Sequence, residues 1–335
     1  SSRIALSFLP CTEAHCCFGC WLLRRAVASG ALLSPSCGPQ SHVLQQCAEA
    51  PQLSGWKPMV MKWRPNKVEE AAAGHPSRLC KQTRETFFVK MARRPAAAMF
   101  QGEALGLEAL RAAGGVCVPK VLHYDDDGNG GSYIIMDKLS MGGRTNMKEF
   151  GRSLALMHMA EPAHPEAKAG KFGFEVDNTI GGTPQRNTWT EDWVTFVREH
   201  RLGPQVQMAG STELKKTWEQ VLKETDGLRE LFTDVEVKPS ILHGDLWSGN
   251  YEGTPDGVAI FDPATYYGHH EAEFGMSWCA GFNRDFWSAY REVIPEAPLF
   301  SKRAKLYEAY HIINHYNLFG GGYLYQGIGL LEGLL

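Results

Sequence analysis

Asp245, Asn250 and Asp262 are the side chains of this sequence whose types and spacing could carry out phosphoryl transfer. They stand in Ile241-Leu242-His243-Gly244-Asp245-Leu246-Trp247-Ser248-Gly249-Asn250 and then Val258-Ala259-Ile260-Phe261-Asp262-Pro263-Ala264, which spells strand, polar loop, strand and aspartate. A carboxylate can accept the proton of an attacking hydroxyl. An amide oxygen and a second carboxylate on adjacent turns offer the hard oxygen donors that Mg2+ prefers. Such a transfer needs little covalent help from the protein, so its site must position a hydroxyl and neutralise charge on phosphate oxygens.

Each residue alone also has a plain structural use. A His-Gly-Asp turn closes a hairpin, with glycine at positive φ and the aspartate bonded to its own loop. The combination asks for more. The gap from Asp245 to Asn250 equals that of D-x-x-x-x-N in a protein-kinase catalytic loop, and Asp262 ends the next strand, where kinases carry a metal-binding aspartate. Lys90 closes the run Phe87-Phe88-Val89-Lys90, and Glu103 follows on a predicted helix. As a pair they match the strand lysine and helix glutamate that orient nucleotide phosphates in kinases. His243 reads first as a buried prop of the loop, ahead of a proton carrier, and is grouped with Trp247 at the substrate end.

The elements that must position these groups can be read as well. Pro95 and Gly114-Gly115 bracket a helix over 96–113. Val116 to Tyr124 is strand-like, Asp125 to Gly131 is a turn cluster, and Ser132 to Met136 is a further strand. These make a small α+β lobe, joined by Asp137 to Gly143 to a region of helical patterns. Phe150, Leu154 and Met157 share one helix face. Thr188 and Glu191 form a capping-box signature for a helix through Trp193 and Phe196. Further helices are expected from about Thr212 to Leu231 and over 302–319, the latter with Leu306, Tyr310, Ile313 and Asn317 on one face.

Composition bounds the rest. The chain has 335 residues, and 34 Lys plus Arg against 37 Asp plus Glu leave a net charge of -3, without the excess a nucleic-acid binder needs. No apolar run reaches the roughly 18 residues of a bilayer span. Leu318 to Leu331 comes nearest and is broken by glycines. Of the 9 cysteines, Cys11, Cys16, Cys17, Cys20, Cys37 and Cys47 crowd the start, which is no extracellular disulfide scaffold. Cys17 and Cys20 form a C-x-x-C with no second pair at zinc spacing. The same region has only Glu13 and Glu49 as acids against Arg3, Arg24 and Arg25. That balance is transit-peptide-like. A truncated or mistranslated start is expected from Ser1 standing in place of Met. The division is therefore a disordered leader over 1–55, an N-lobe over 56–140 that is atypical before residue 87, and a C-lobe over 141–335.

The stretches HGDLWSGN (243–250), DPATYYGHHEAEFGMSW (262–278), KFGFEVDNTIGGTPQRNTW (171–189), EHRLG (199–203) and FQGEALGLEAL (100–110) resemble the fructosamine kinase or ketosamine-3-kinase family, plant-type members above all. H-G-D-x-x-x-x-N alone is shared with aminoglycoside, choline and homoserine kinases. Trp247 combined with Tyr267-Gly268-His269 and Asp177-Asn178-Thr179 is specific. The resemblance implies a two-lobed protein-kinase-like α+β fold, with a small β-rich N-lobe and a larger mainly helical C-lobe. It implies ATP- and Mg2+-dependent phosphorylation of the sugar O3 of ketosamines, free or protein-bound; the product phosphate sheds the sugar, which repairs glycated protein. In those terms Asp245 is the base, Asn250 and Asp262 hold metal, and Lys90 and Glu103 grip phosphates. Met136, Asp137, Lys138 and Leu139 form the hinge that meets adenine, and Trp247 flanks the sugar. Its indole can stack on the C–H face of a sugar or simply pack in the core. Tyr266, Tyr267, His269, Glu271 and Glu273 are structural or line the substrate rim, while Trp189, Trp193, Trp278 and Phe274 read as core. A chloroplast setting is expected, with the cytoplasm as the alternative, for a monomer or homodimer that binds neither nucleic acid nor membrane.

One stretch departs from the family pattern. Where a glycine-rich loop should cover the phosphates, the chain reads Glu69-Glu70-Ala71-Ala72-Ala73-Gly74-His75-Pro76-Ser77-Arg78-Leu79-Cys80-Lys81. Gly74 is single, Pro76 removes a donor, and Cys80 is too near Lys90 to match the cysteine of plant-type members. A gene-model error upstream of Phe87 and a real divergence that lowered activity both fit. The alternatives to a ketosamine kinase are a related kinase of the aminoglycoside or choline type and an inactive kinase-like binding protein.

Overall fold

A computed structural model describes residues 86–335 and the strand Met59–Lys62. The expected leader, the Cys17–Cys20 pair and the altered segment 69–81 lie outside the described residues. Strands β1 (Met59–Lys62), β2 (Thr86–Ala92), β3 (Val121–Asp126) and β4 (Ser132–Asp137) form an antiparallel sheet in the order β1-β2-β4-β3. On β4, Ser132, Ile134 and Met136 turn inward, and the register sets Lys90 opposite Ile134. Helix α1 (Ala97–Ala113) crosses between β2 and β3. Its Phe100, Ala104, Leu107 and Leu110 are fully buried at helical spacing, and Gly114 ends it at φ 72.

The strand-like reading of Val116 to Tyr124 divides in two. Cys117 pairs with the other lobe instead, its N–H donating to Val258 O (2.9 Å) and its carbonyl accepting from Ile260 N (2.9 Å), so β3 begins only at Val121.

The larger lobe is mainly helical: α2 (Met147–Met159), α3 (Thr212–Glu224), α4 (Arg284–Val293), α5 (Phe300–Phe319) and α6 (Tyr323–Glu332). Small antiparallel pairs lie among them, β5 (Asn178–Ile180) with β6 (Thr183–Gln185), β7 (Ser240–Leu242) with β10 (Tyr266–Gly268), and β8 (Tyr251–Thr254) with β9 (Gly257–Ile260). Phe150, Leu154 and Met157 of α2 are fully buried, as their spacing predicts, and Asn146 caps that helix. Leu306, Tyr310 and Ile313 of α5 are buried in the same way.

Two helix boundaries differ from the sequence reading. The helix through Trp193 is capped by Asp192, whose carboxylate accepts from Thr195 N (2.8 Å). Thr188 is not the cap, because Thr190 exchanges two 2.8 Å backbone bonds with Phe172 and holds that stretch extended. The helix expected from Thr212 to Leu231 stops at Glu224. Asp226, Gly227 and Leu228 then take positive φ and a short 3-10 turn follows over Arg229–Phe232. The break turns Leu228 into full burial. Among the described residues no helix is long and apolar enough to cross a membrane.

Candidate active site

The hairpin β8–β9 brings the two halves of the motif together. Loop 243–250 lies between β7 and β8, and Asp262 follows β9 after Phe261. Phe261 N donates to Asn250 O (3.0 Å) and Ala264 N to His243 O (2.8 Å), so the segment after β9 is tied along the loop. Gly244 sits at φ 80 with the Ala264 carbonyl against it; an added Cβ would come within 2.3 Å of that oxygen, which only glycine avoids.

Asn250 is buried and donates its Nδ2 to Asp245 O (2.8 Å). Nδ2 also lies 3.4 Å from Asp245 Oδ2 and 3.5 Å from Asp262 O. Asp262 holds the left-handed conformation at φ 59 and keeps 47 % of its side chain exposed. Lys90 Nζ bonds Glu103 Oε1 at 2.7 Å and contacts Asp262 Oδ1, so the strand lysine bridges both carboxylates. Burial alone would lower the Lys90 pKa; Asp262 and Glu103 outweigh it and hold the ammonium charged. Asp245 is pushed up to about 7, by burial first and then by the charges of Asp262 and Glu273.

His243 is fully buried with both ring nitrogens engaged. Nδ1 accepts from Asp245 N (3.3 Å), so Nε2 carries the proton and donates to Phe261 O (2.8 Å). Burial depresses its pKa, in keeping with this neutral tautomer. Its ring thus braces the base against the residue preceding Asp262 and presents no nitrogen to a substrate. Trp247 is half-buried, its ring lying over Gly249 at the mouth of the loop. At the expected hinge Met136 is buried, Asp137 N donates to Lys120 O (2.9 Å), Lys138 is exposed and Leu139 half-exposed.

The role of Glu273 was not legible from motif spacing. Its buried carboxylate accepts from His243 N (2.7 Å) and Gly244 N (2.9 Å) and bonds His158 Nε2 (3.3 Å). His158 Nδ1 in turn meets Tyr290 OH (2.8 Å). Burial would raise the Glu273 pKa, but His158 and the backbone donors lower it overall. The family resemblance left it structural or at the substrate rim, and these bonds give it a structural place. Glu271 takes a bidentate bond from fully buried Arg303 (2.7 and 2.8 Å). Among the described residues His269, His270 and Glu271 bring ligand atoms within 4.8 Å of one another. Since Arg303 already neutralises Glu271, that cluster lacks the negative charge that draws a dication.

The fructosamine kinase family model matches residues 60–335. The chain belongs to the fructosamine kinase family. It is similar to the chloroplastic protein-ribulosamine 3-kinase of Arabidopsis thaliana, 46% identical over 261 residues that cover 75% of this chain and 76% of the relative. It is similar to the ketosamine-3-kinase of Mus musculus at 35% identity, over 74% of this chain and 87% of the relative. Among solved structures, a provisionally named fructosamine-3-kinase from Thermobifida fusca YX-ER1 superposes with TM-score 0.65 at 30% identity, over 75% of this chain and 86% of the other. A fructosamine kinase is a phosphotransferase with an alcohol acceptor. The β-rich small lobe and helical large lobe are thus the protein-kinase-like fold.

Proposed function

We propose that this chain is an ATP-dependent kinase that phosphorylates the sugar O3 of ketosamines, the ribulosamine and fructosamine adducts of amines, and so serves protein deglycation. The observation that carries the reading is the meeting of Asp245, Asn250 and Asp262 beside the Lys90–Glu103 pair. The Asp245 carboxylate takes the proton of the acceptor hydroxyl as the hydroxyl oxygen bonds to the γ-phosphorus and the bond from that phosphorus to the leaving ADP oxygen breaks, while Lys90 grips the phosphates, oriented by Glu103. Asn250 and Asp262 fit a hard cation: both offer oxygen, the Asn250 amide is oriented by its bond to Asp245 O, and Asp262 is half-exposed. Mg2+, when bound there, supplies positive charge against the phosphate oxygens. The names of the plant and mouse relatives support ketosamines as acceptors, and the chloroplastic label of the former supports a chloroplast setting. In this reading 56–140 is the nucleotide lobe, 141–335 carries the base and acceptor site, and 1–55 is a transit-like leader.

A coupled assay of ADP release with a ribulosamine or fructosamine acceptor tests the reading. Turnover with the ketosamine that Asp245→Asn slows by about 10²–10⁴ is the expected result. Turnover with choline or an aminoglycoside alone would place the chain in the neighbouring kinase class, and nucleotide binding without any turnover would make it a binding protein. Trp247, half-buried over Gly249, offers its indole to the C–H face of the acceptor sugar. Trp247→Ala is expected to raise the KM for ketosamine about tenfold, the loss of about 1.5 kcal/mol of stacking, while the KM for ATP stays as it is.

A further inference from the structure

We infer that Asn178 and Thr265 are positioning residues: they seat α1 where Glu103 meets Lys90, so that the ion pair is assembled before nucleotide arrives. The inference deepens the kinase reading and rests on it. It concerns the Asp177-Asn178-Thr179 block and the segment after Asp262, to which that reading gives no task.

Glu103 is flanked on α1 by Gly102 and, less than one turn on, by Gly106, both buried. A Cβ on Gly102 would stand 2.8 Å from Asn178 Cβ and 3.3 Å from its Cα. A Cβ on Gly106 would stand 2.8 Å from Thr265 Oγ1 and 3.0 Å from its Cβ. The helix therefore rests on these two residues with its backbone, leaving no layer of side chains to repack.

The residues beneath it are themselves pinned. Asn178 Oδ1 accepts from Gln185 Nε2 (2.8 Å) and Asn187 Nδ2 (3.0 Å), while its Nδ2 donates to Thr265 O (2.8 Å). Gln185 also donates to Ala264 O (3.1 Å) and accepts from Tyr310 OH of α5 (2.7 Å). Asn187 accepts from Arg201 Nη2 (2.8 Å). Asn178, Gln185, Asn187 and Arg201 are all buried, so exchanging their bonds for water is costly. The network ends at Ala264 and Thr265, just past Asp262. One short segment thus carries both the second partner of Lys90 and the seat of the helix that bears the first. A helix that swung to bring Glu103 into place would need a slack contact here, and a bonded amide network under two glycines offers a single position.

The test uses the full chain. Gly102→Ala and Gly106→Ala each push α1 off its seat by several tenths of an ångström, and each is expected to weaken ADP binding about tenfold by calorimetry. In nucleotide-free protein each is also expected to speed acetylation of Lys90 by acetic anhydride, read by mass spectrometry, with the circular dichroism unchanged. Thr265 Oγ1 has no hydrogen-bond partner among the described residues, so trimming that side chain breaks no such bond. Gly106→Ala combined with Thr265→Gly is therefore expected to restore both Lys90 protection and ADP affinity. Folded single variants that keep wild-type Lys90 protection would overturn the inference, as would a loss of protection that Thr265→Gly fails to repair. If the wild-type chain binds no ADP, the kinase reading fails, and the labelling of Lys90 still decides the positioning role.

Discussion

Asp245→Asn is expected to lower kcat by about 10²–10⁴ and, at pH 8, to raise the melting temperature. The first effect follows from removing the group that accepts the hydroxyl proton. The second follows from linkage. In the folded chain burial and the nearby Asp262 and Glu273 charges push the Asp245 carboxyl up to about 7, against an unfolded value of 3.8. The folded state therefore binds more protons than the unfolded one between those values, and stability falls as pH rises through that window. Above about 7 the ionised carboxylate is a standing cost, which a neutral asparagine of the same shape removes. Screened by the solvent that reaches this half-buried group, the gain should be about 1–2 kcal/mol, or about 2–5 °C. At pH 4 the difference should vanish. In the wild type, kcat/KM should fall as pH drops through about 7 or below, since a bound cation draws the inflection toward the ordinary carboxylate range. Equal melting of the two proteins at pH 8, measured alongside pH 4, would remove the claim that the base is held at a cost in stability.

The parts of this site that could be read from the sequence are those whose chemistry is local. His243 to Asn250 and Asp262 fall within twenty residues, and a single hairpin closes them, so spacing alone predicts their meeting. Lys90 and Glu103 are a strand end and the helix that follows it. What spacing cannot reach is the partner supplied from far along the chain. Cys117 looks like part of β3, yet its backbone is claimed by Val258 and Ile260 of the other lobe. Thr188 and Glu191 satisfy the local rule for a cap, but the Phe172–Thr190 bridge outweighs it and Asp192 serves instead. The turn at Asp226 to Leu228 interrupts a good helical pattern because Leu228 is drawn into the core. In each case a tertiary bond overrides a correct local preference. The buried network of Asn178, Gln185 and Asn187 is the extreme instance: each is a residue type common in surface loops, and bonds to one another, to Thr265 and Ala264 carbonyls, to Tyr310 and to Arg201 make burial tolerable.

Glu273 separates structural support from catalysis. Glu273→Ala leaves His243 N, Gly244 N and His158 Nε2 without a buried partner and is expected to cost about 3–5 kcal/mol of stability, with little folded protein recovered. Glu273→Gln is the informative variant. Its amide oxygen keeps one loop N–H, while its amino group faces the other donor, which moves the turn that carries Asp245. A displacement below 1 Å at the base suffices for a loss of about 10²-fold in kcat. The charge change makes a second, independent statement. The Glu273 carboxylate is one of the charges that raise the Asp245 pKa, so neutralising it lets Asp245 ionise more readily. The acid limb of kcat/KM should therefore move to lower pH in Glu273→Gln, although the enzyme is slower throughout. A carboxylate that merely held the loop together would lower the whole profile without moving its inflection. The pH at which the rate halves, compared between wild type and Glu273→Gln, tells these roles apart: a shift toward acid means that Glu273 sets the charge state of the base as well as its place.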